Sequence, residues 1–229
     1  MLPSMRRTRS TEGYTLFELV VVVAIMGAMA ALVAPGLAES MADSRQNGAA
    51  EEMLRINRVL RARVNETGLA HLLLFQATNN AAGSFGLGNA QVWEGMNNRC
   101  NTTPWAAALA GGAENGFSPV ESLDLGNSAY NMPRDSSPPR ADDVGRQVIR
   151  MFASGTPTSA LLCFEPGGAT YTAVANTAMQ QIGYVFTPQT AAVTFTVTRS
   201  MTTSGGEAVT RGVDRVVIFP AGGNGRLWF

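Results

Sequence analysis

A chain of 229 residues with 45% hydrophobic content suffices for one domain of ordinary size plus an appended element. Basic and acidic residues balance at 17 each, every basic one an arginine, which excludes a global electrostatic pull toward nucleic acid or anionic membranes. Two cysteines, no CxxC and one histidine, His71, argue against a Cys/His zinc centre.

Charge is uneven at the start. Residues 1–13 carry Arg6, Arg7 and Arg9 against Glu12, and from Tyr14 to Ala34 the one charged residue is Glu18. A helix of that length rises about 30 Å, enough to cross a bilayer core. Arginines ahead of such a span place the N-terminus in the cytoplasm and everything after Ala34 outside. A lone carboxylate in the span must find a partner or take up a proton. Ala38-Glu39-Ser40 is a poor cleavage site for an ordinary secretory signal.

The run Gly13-Tyr14-Thr15-Leu16-Phe17-Glu18-Leu19, behind its arginine-rich leader, resembles the prepilin processing motif of type IV pilins and type II secretion pseudopilins. Phe is more usual than Tyr14 as the first mature residue of that family, and Ile or Leu more usual than Phe17. The resemblance implies that residues 1–13 are a leader removed by a prepilin peptidase, which cuts between Gly13 and Tyr14 and N-methylates Tyr14. It implies that Glu18 meets the α-amine of an incoming subunit and sets the axial register of a filament. The competing reading is a plain signal anchor in which Glu18 is incidental.

Pro35-Gly36 interrupts the apolar run, so the helix expected from Thr15 to about Asn65 is broken there. Residues 14–35 are its transmembrane or filament-core part and residues 36–67 an amphipathic continuation. In the continuation Ala49, Met53, Ile56, Leu60 and Val64 recur at three- and four-residue spacing, an apolar stripe. Arg55, Arg58, Arg61 and Arg63 alternate with Glu51, Glu52 and Glu66 on the remaining faces and read as solvated. Gly68 is a candidate C-cap.

Residues 68–229 read as a β-rich periplasmic domain. Leu69–Gln76 is a first strand, with His71 a structural residue inside it. Residues 77–146, rich in Gly, Asn, Ser and Pro, form a long variable excursion, with a short strand near Gln91–Trp93 and a short helix at Pro104–Ala110. Trp93 and Trp105 are either exposed contacts or buried anchors of it. Asp142-Asp143 lacks the loop pattern of a calcium site. Further strands are expected at Gln147–Ala153, Ala160–Glu165, Thr170–Ala175, Ile182–Phe186, Ala192–Arg199 and Val213–Phe219. The fold class is α+β: a long N-terminal helix packed on a mostly antiparallel sheet or sandwich. Cys100, in the excursion, and Cys163, on a strand, either form one bridge that pins the excursion to the sheet or remain two thiols.

The tail Asp214-Arg215-Val216-Val217-Ile218-Phe219-Pro220, followed by Gly225-Arg226-Leu227-Trp228, resembles the end of the GspH/FimT group of minor pseudopilins and pilins. Some members carry a further basic residue after this Gly-Arg and bind DNA there; here Trp228 holds that position, so Arg226 is at most a weak ligand-binding element. A terminal hairpin with Trp228 and Phe229 covering the sheet edge is the simpler reading. There is no G-x-S-x-G, H-E-x-x-H or P-loop, so no enzymatic activity, metal or cofactor is expected. The resemblance implies a minor pseudopilin of a type II secretion system, a structural subunit of a short periplasmic pseudopilus anchored in the bacterial inner membrane. Its partners would be the prepilin peptidase, other pilin or pseudopilin subunits, and secreted cargo or the outer-membrane channel. The alternative is a FimT-like minor type IV pilin acting in pilus assembly or DNA uptake.

Overall fold

The computed structural model describes residues 15–77, 88–103, 105, 119–125, 147–154, 159–173, 185–202, 208–210 and 212–228. Among these residues one helix, α1 (Leu16–Thr67), precedes eleven strands. It runs through Pro35-Gly36 without a break. Proline removes one N–H from the ladder; the flanking hydrogen bonds hold the helix across that gap. Its end follows the expected chemistry: Gly68 takes the left-handed conformation, φ 68°, and its N–H donates to the Val64 carbonyl at 3.1 Å.

The chain divides into two compact units, residues 1–41 and 42–229. In the first, the described side chains from Leu16 to Met41 are exposed, including Leu16 (82%), Phe17 (76%) and Leu32 (81%). A helix that is apolar all round and unburied needs lipid or other protein around it. It is long and apolar enough to cross a membrane.

In the second unit two antiparallel sheets enclose the core. The first has the order β3-β2-β1-β5-β6-β7, from β1 (His71–Gln76), β2 (Asn89–Glu94), β3 (Pro119–Asp124), β5 (Ser159–Phe164), β6 (Thr170–Ala173) and β7 (Thr187–Pro188). The second has the order β11-β10-β8-β4, from β4 (Gln147–Ala153), β8 (Val193–Thr202), β10 (Arg215–Phe219) and β11 (Arg226–Trp228). The short β9 (Ala208–Thr210) pairs with the far end of β8. The fold is therefore α+β with antiparallel sheets.

The α1 stripe lies at the centre of the larger core. Ala49, Met53, Ile56, Leu60 and Val64 are buried together with Leu73 and Phe75 of β1, Leu162 and Phe164 of β5, and Met151, Phe195, Val197, Val217 and Phe219 of the second sheet. Phe195 joins the aromatic packing from both sides, with ring centroids 5.2 Å from Phe75 and 5.0 Å from Phe219. Strand alternation sends Leu72, Leu74, Leu161 and Cys163 to the opposite face of the first sheet, where Trp93, Trp105 and Phe186 complete a smaller core. β1 is thus apolar on both faces because it is covered on both.

Polar bonds fasten the helix to the sheets. Gln46 is fully buried and its Nε2 donates to the carbonyls of Val197 (2.8 Å) and Val213 (3.1 Å). Arg199 is 2% exposed and meets Asp43 at 2.7 Å. Arg215 Nε donates to Asn47 Oδ1 at 2.7 Å. Arg55 bridges Glu52 on its own helix and Glu121 on β3, at 2.7 Å each, and these hydrogen bonds raise its pKa above the ordinary guanidinium range.

Several expectations shift. The span 77–146 supplies β2 and β3, two integral strands of the first sheet, so these parts of it are framework. β3 is absent from the expected strands because Pro119-Val120-Glu121-Ser122-Leu123-Asp124 lacks regular alternation. Trp93 and Trp105 are buried. Of the helix at Pro104–Ala110 only Trp105 is described, and Asp142-Asp143 lies outside the described residues. In place of a strand at Ile182–Phe186, Val185 and Phe186 precede β7, and residues 182–184 lie outside the described residues.

Ile56 is fully buried between the sheets, whereas Arg58 is exposed on the other side of the same helical turn. Ile56→Ala should lower the unfolding free energy by about 2–5 kcal/mol, and Arg58→Ala should change it by no more than about 0.5 kcal/mol. Urea unfolding of the detergent-solubilised chain reads both; equal losses would overturn the packing assignment.

Candidate functional site

The head of α1 contains the motif residues. Gly13 and Tyr14 lie outside the described residues, which begin at Thr15. Thr15 caps the helix, and Glu18 sits in its first turn. Glu18 Oε2 accepts from the Thr15 backbone N–H at 2.9 Å and from the Thr15 hydroxyl at 3.0 Å. The Thr15 oxygen in turn accepts from the Glu18 N–H at 3.3 Å. This reciprocal pair is a capping box, in which Thr and Glu three residues apart each satisfy a backbone donor that the helix start leaves without a partner. Thr15-Leu16-Phe17-Glu18 is itself a capping-box signature, so Glu18 has a structural use beside the assembly role that the motif implies. The carboxylate also sits where the helix dipole favours negative charge.

The loop after β2 is built around a disulfide. Cys100 and Cys163 are bonded, with their Cα atoms 5.9 Å apart. The Cys100 N–H donates to Glu165 Oε1 at 2.8 Å, and the Cys100 carbonyl accepts the Trp105 indole N–H at 2.9 Å. Asn101 Oδ1 accepts the Phe186 N–H at 3.0 Å, and Ala70 donates to the Asn97 carbonyl at 2.8 Å. Gly95 lies so close to β1 that an added Cβ would stand 2.7 Å from the Ala70 carbonyl oxygen and 2.9 Å from the Trp105 ring. Bridge, indole and glycine together hold residues 95–103 and Trp105 against the outer face of the first sheet, a structural assembly with both cysteines buried.

His71 is fully buried on β1, with Nδ1 3.1 Å from the Leu69 carbonyl and Nε2 3.4 Å from Glu94. A side chain sealed this way and bonded to its own strand end is placed for structure. Among the described residues no group of three His, Cys, Asp or Glu side chains converges on a point that would hold a metal ion.

At the other end, β10 and β11 pair as a terminal hairpin, with Val216 opposite Trp228 and Ile218 opposite Arg226. Arg226 and Trp228 share one face of β11 and both are exposed, Trp228 at 68%. Trp228 therefore does not cover the sheet edge as the hairpin reading expected; Phe229 lies outside the described residues. Within residues 42–229 the disulfide loop lies on the outer face of the first sheet and β11 at the end of the second, so these two elements form no common site.

Two outcomes follow. Thr15→Ala should cost the first helical turn about 0.5–2 kcal/mol, seen as faster amide exchange at Phe17 and Glu18 in detergent micelles; unchanged exchange would mean that the box contributes nothing. Replacing both cysteines by Ser should destabilise the globular unit by up to about 4 kcal/mol, since the bridge closes a long loop. A shift in the urea midpoint relative to the oxidised chain measures it, and an unaltered midpoint would contradict this account.

Comparison with protein families, with curated proteins and with solved structures finds no match to this chain. The shared geometry remains at the coarser level: a long apolar N-terminal helix whose later turns pack on antiparallel sheets, an arrangement compatible with a pilin-like fold.

Proposed function

We propose that the chain is a minor pseudopilin of a type II secretion system, made with a leader of residues 1–13, cut between Gly13 and Tyr14, and methylated at Tyr14. The observation that carries this reading is the coincidence of Gly13-Tyr14-Thr15-Leu16-Phe17-Glu18 with the start of a helix that is apolar and exposed on every side. Before assembly that surface is satisfied by lipid, with the arginines of the leader on the cytoplasmic side. In a filament it is satisfied by the same helices of neighbouring subunits. The globular unit remains in the periplasm, where an oxidised Cys100–Cys163 bridge persists.

Glu18 has a double use in this scheme. The capping bonds both fall on Oε2. Oε1, which takes part in neither bond, then serves the methylated amine of an incoming subunit, a charge-assisted contact made in apolar surroundings where it is strong. No catalytic group of the chain itself takes part. The subunit contributes to initiation of a short pseudopilus and to export of cargo.

A second reading, a FimT-like minor type IV pilin in pilus assembly or DNA uptake, draws on the exposed Arg226 and Trp228 of β11. One cation and one ring offer a phosphate contact and a stacking face. Deleting the gene separates the two: loss of protein secretion favours the first, loss of DNA uptake the second.

The reading stands or falls on mass spectrometry of the membrane-extracted chain, produced with and without a prepilin peptidase. A mature chain beginning at N-methylated Tyr14, and only when the peptidase is present, is the expected result. In the same assay Glu18→Ala should be processed normally and fail to enter filaments. A chain that keeps its leader in both cases, or that is cut beyond Ala34, would leave Glu18 as the cap of an ordinary signal anchor.

A further inference from the structure

The arginines of α1 have contrasting surroundings. Arg55 lies between two carboxylates. Arg61, further along the helix, has its guanidinium over the Phe164 ring at 5.0 Å and its Nε 3.4 Å from Asn57 Oδ1. Its Nη2 is sealed from solvent with no hydrogen-bond partner among the described residues, and the same holds for the Nδ2 of the fully buried Asn57. Burial lowers the Arg61 pKa from its ordinary value, with no opposing contribution from an acid. This corner of the fold has more donors than acceptors.

Arg61 also lines a pocket of about 180 Å³ formed with Val64 and Asn65 of α1, Phe164 and Glu165 at the end of β5, Gly168 of the β5–β6 turn and Asn224 of the β10–β11 turn. Nε is taken up by Asn57 and Nη2 is sealed, which leaves Nη1 as the guanidinium nitrogen for the pocket. Glu165 does not answer that need: its Oε1 accepts the Cys100 N–H at 2.8 Å and its Oε2 is 3.6 Å from Arg99 Nη1.

We infer that this pocket binds a single carboxylate, held by Arg61 and the amide side chains of Asn65 and Asn224. Size and charge select the class. The volume accommodates roughly six water molecules at about 30 Å³ each, the space of a short carboxylate head and not of a nucleotide. One guanidinium facing one carboxylate wall suits a planar monoanion; a phosphate dianion would be repelled by Glu165. Nη1 gives the carboxylate a charge-assisted hydrogen bond, and the Phe164 ring holds the guanidinium plane in place. The carboxylate can come from a small free acid or from the C-terminus of a polypeptide. The site lies wholly within residues 42–229 and does not rest on the filament reading.

The test uses the full ¹⁵N-labelled chain in detergent, observing the Arg61 Nε–H and the Gly168 amide by NMR. Sodium acetate, N-acetyl-glycylglycine and its C-terminal amide are titrated, with sodium chloride and sodium phosphate as controls at equal ionic strength. A saturable shift with acetate and the peptide acid, in the millimolar range and absent with the peptide amide, is the expected result; saturation by the peptide acid alone supports the site and assigns it to polypeptide termini. Asn224→Asp places a fixed carboxylate at the exposed rim and should weaken acetate binding by about tenfold. Arg61→Met should abolish the response at Gly168, and Arg61→Lys should reduce it. If all salts shift both reporters alike, if none does so saturably, or if the Gly168 response survives in Arg61→Met, the site does not exist.

Discussion

Everything in the globular unit depends on one stripe of α1. Ala49, Met53, Ile56, Leu60 and Val64 form an apolar line that neither sheet could replace, because residues of both sheets bury their inner faces against it. Each large side chain of that line contributes about 1.5–3 kcal/mol by leaving water. Apolar packing is tolerant of small slides along a helix; hydrogen bonds are not. The register is set by Gln46, whose single amide joins two separate carbonyls, and by Asp43, Asn47 and Asn57, each contacting a different strand or turn. A one-residue shift of the helix would turn these groups away from their partners and leave buried polar atoms without bonds, at about 1–3 kcal/mol apiece.

The same helix illustrates why a single residue can serve two ends. Glu18 is costly in an apolar stretch unless its charge is met. The capping box with Thr15 meets it locally, using groups that every helix start leaves available. A local partner makes the carboxylate tolerable in a lone subunit. It does not use up the oxygen that an amine from a second chain would need. A residue that is stable alone and still able to bond once more fits the proposed reading, in which a subunit waits in the membrane before joining a filament.

How much of this was legible in the sequence divides along physical lines. Periodicity recovered the α1 stripe, and Gly68 was read as its cap because a left-handed residue at that place is nearly a glycine monopoly. β4 was bounded at Gln147 and Ala153, as observed, and β8 was found because Thr194-Phe195-Thr196-Val197-Thr198 alternates. β3, β7 and β9 were not foreseen: they are two to six residues long, and their strand state comes from the partner offering a ladder, whereas β11 is the expected second arm of the terminal hairpin. The proline at position 35 was overweighted, since one missing N–H does not end a helix whose other bonds remain. Nothing local marks Gln46, because its two acceptors lie 151 and 167 residues away. At the candidate site the motif at Gly13, Tyr14 and Glu18 was visible, and the capping box was visible but missed. The Arg61 pocket was invisible, since it joins residues from three distant stretches of chain.

Under the proposed pseudopilin reading the helix head obeys a short, local rule, because a peptidase and neighbouring subunits would read it with no help from the domain. The globular unit obeys a different rule: bury the stripe of α1, keep the bridge and the two tryptophans packed, and leave the remaining surface unconstrained. Arg55 and Arg61 show the two states such a surface residue can reach. Arg55 is satisfied inside the fold by Glu52 and Glu121, so its charge is spent on joining α1 to β3. Arg61 sits in a pocket whose one acid is directed elsewhere, so its charge is held over an aromatic ring, desolvated and available. Stability explains the first arrangement. It does not explain the second, because a methionine would cover Phe164 equally well without leaving a buried donor unmet.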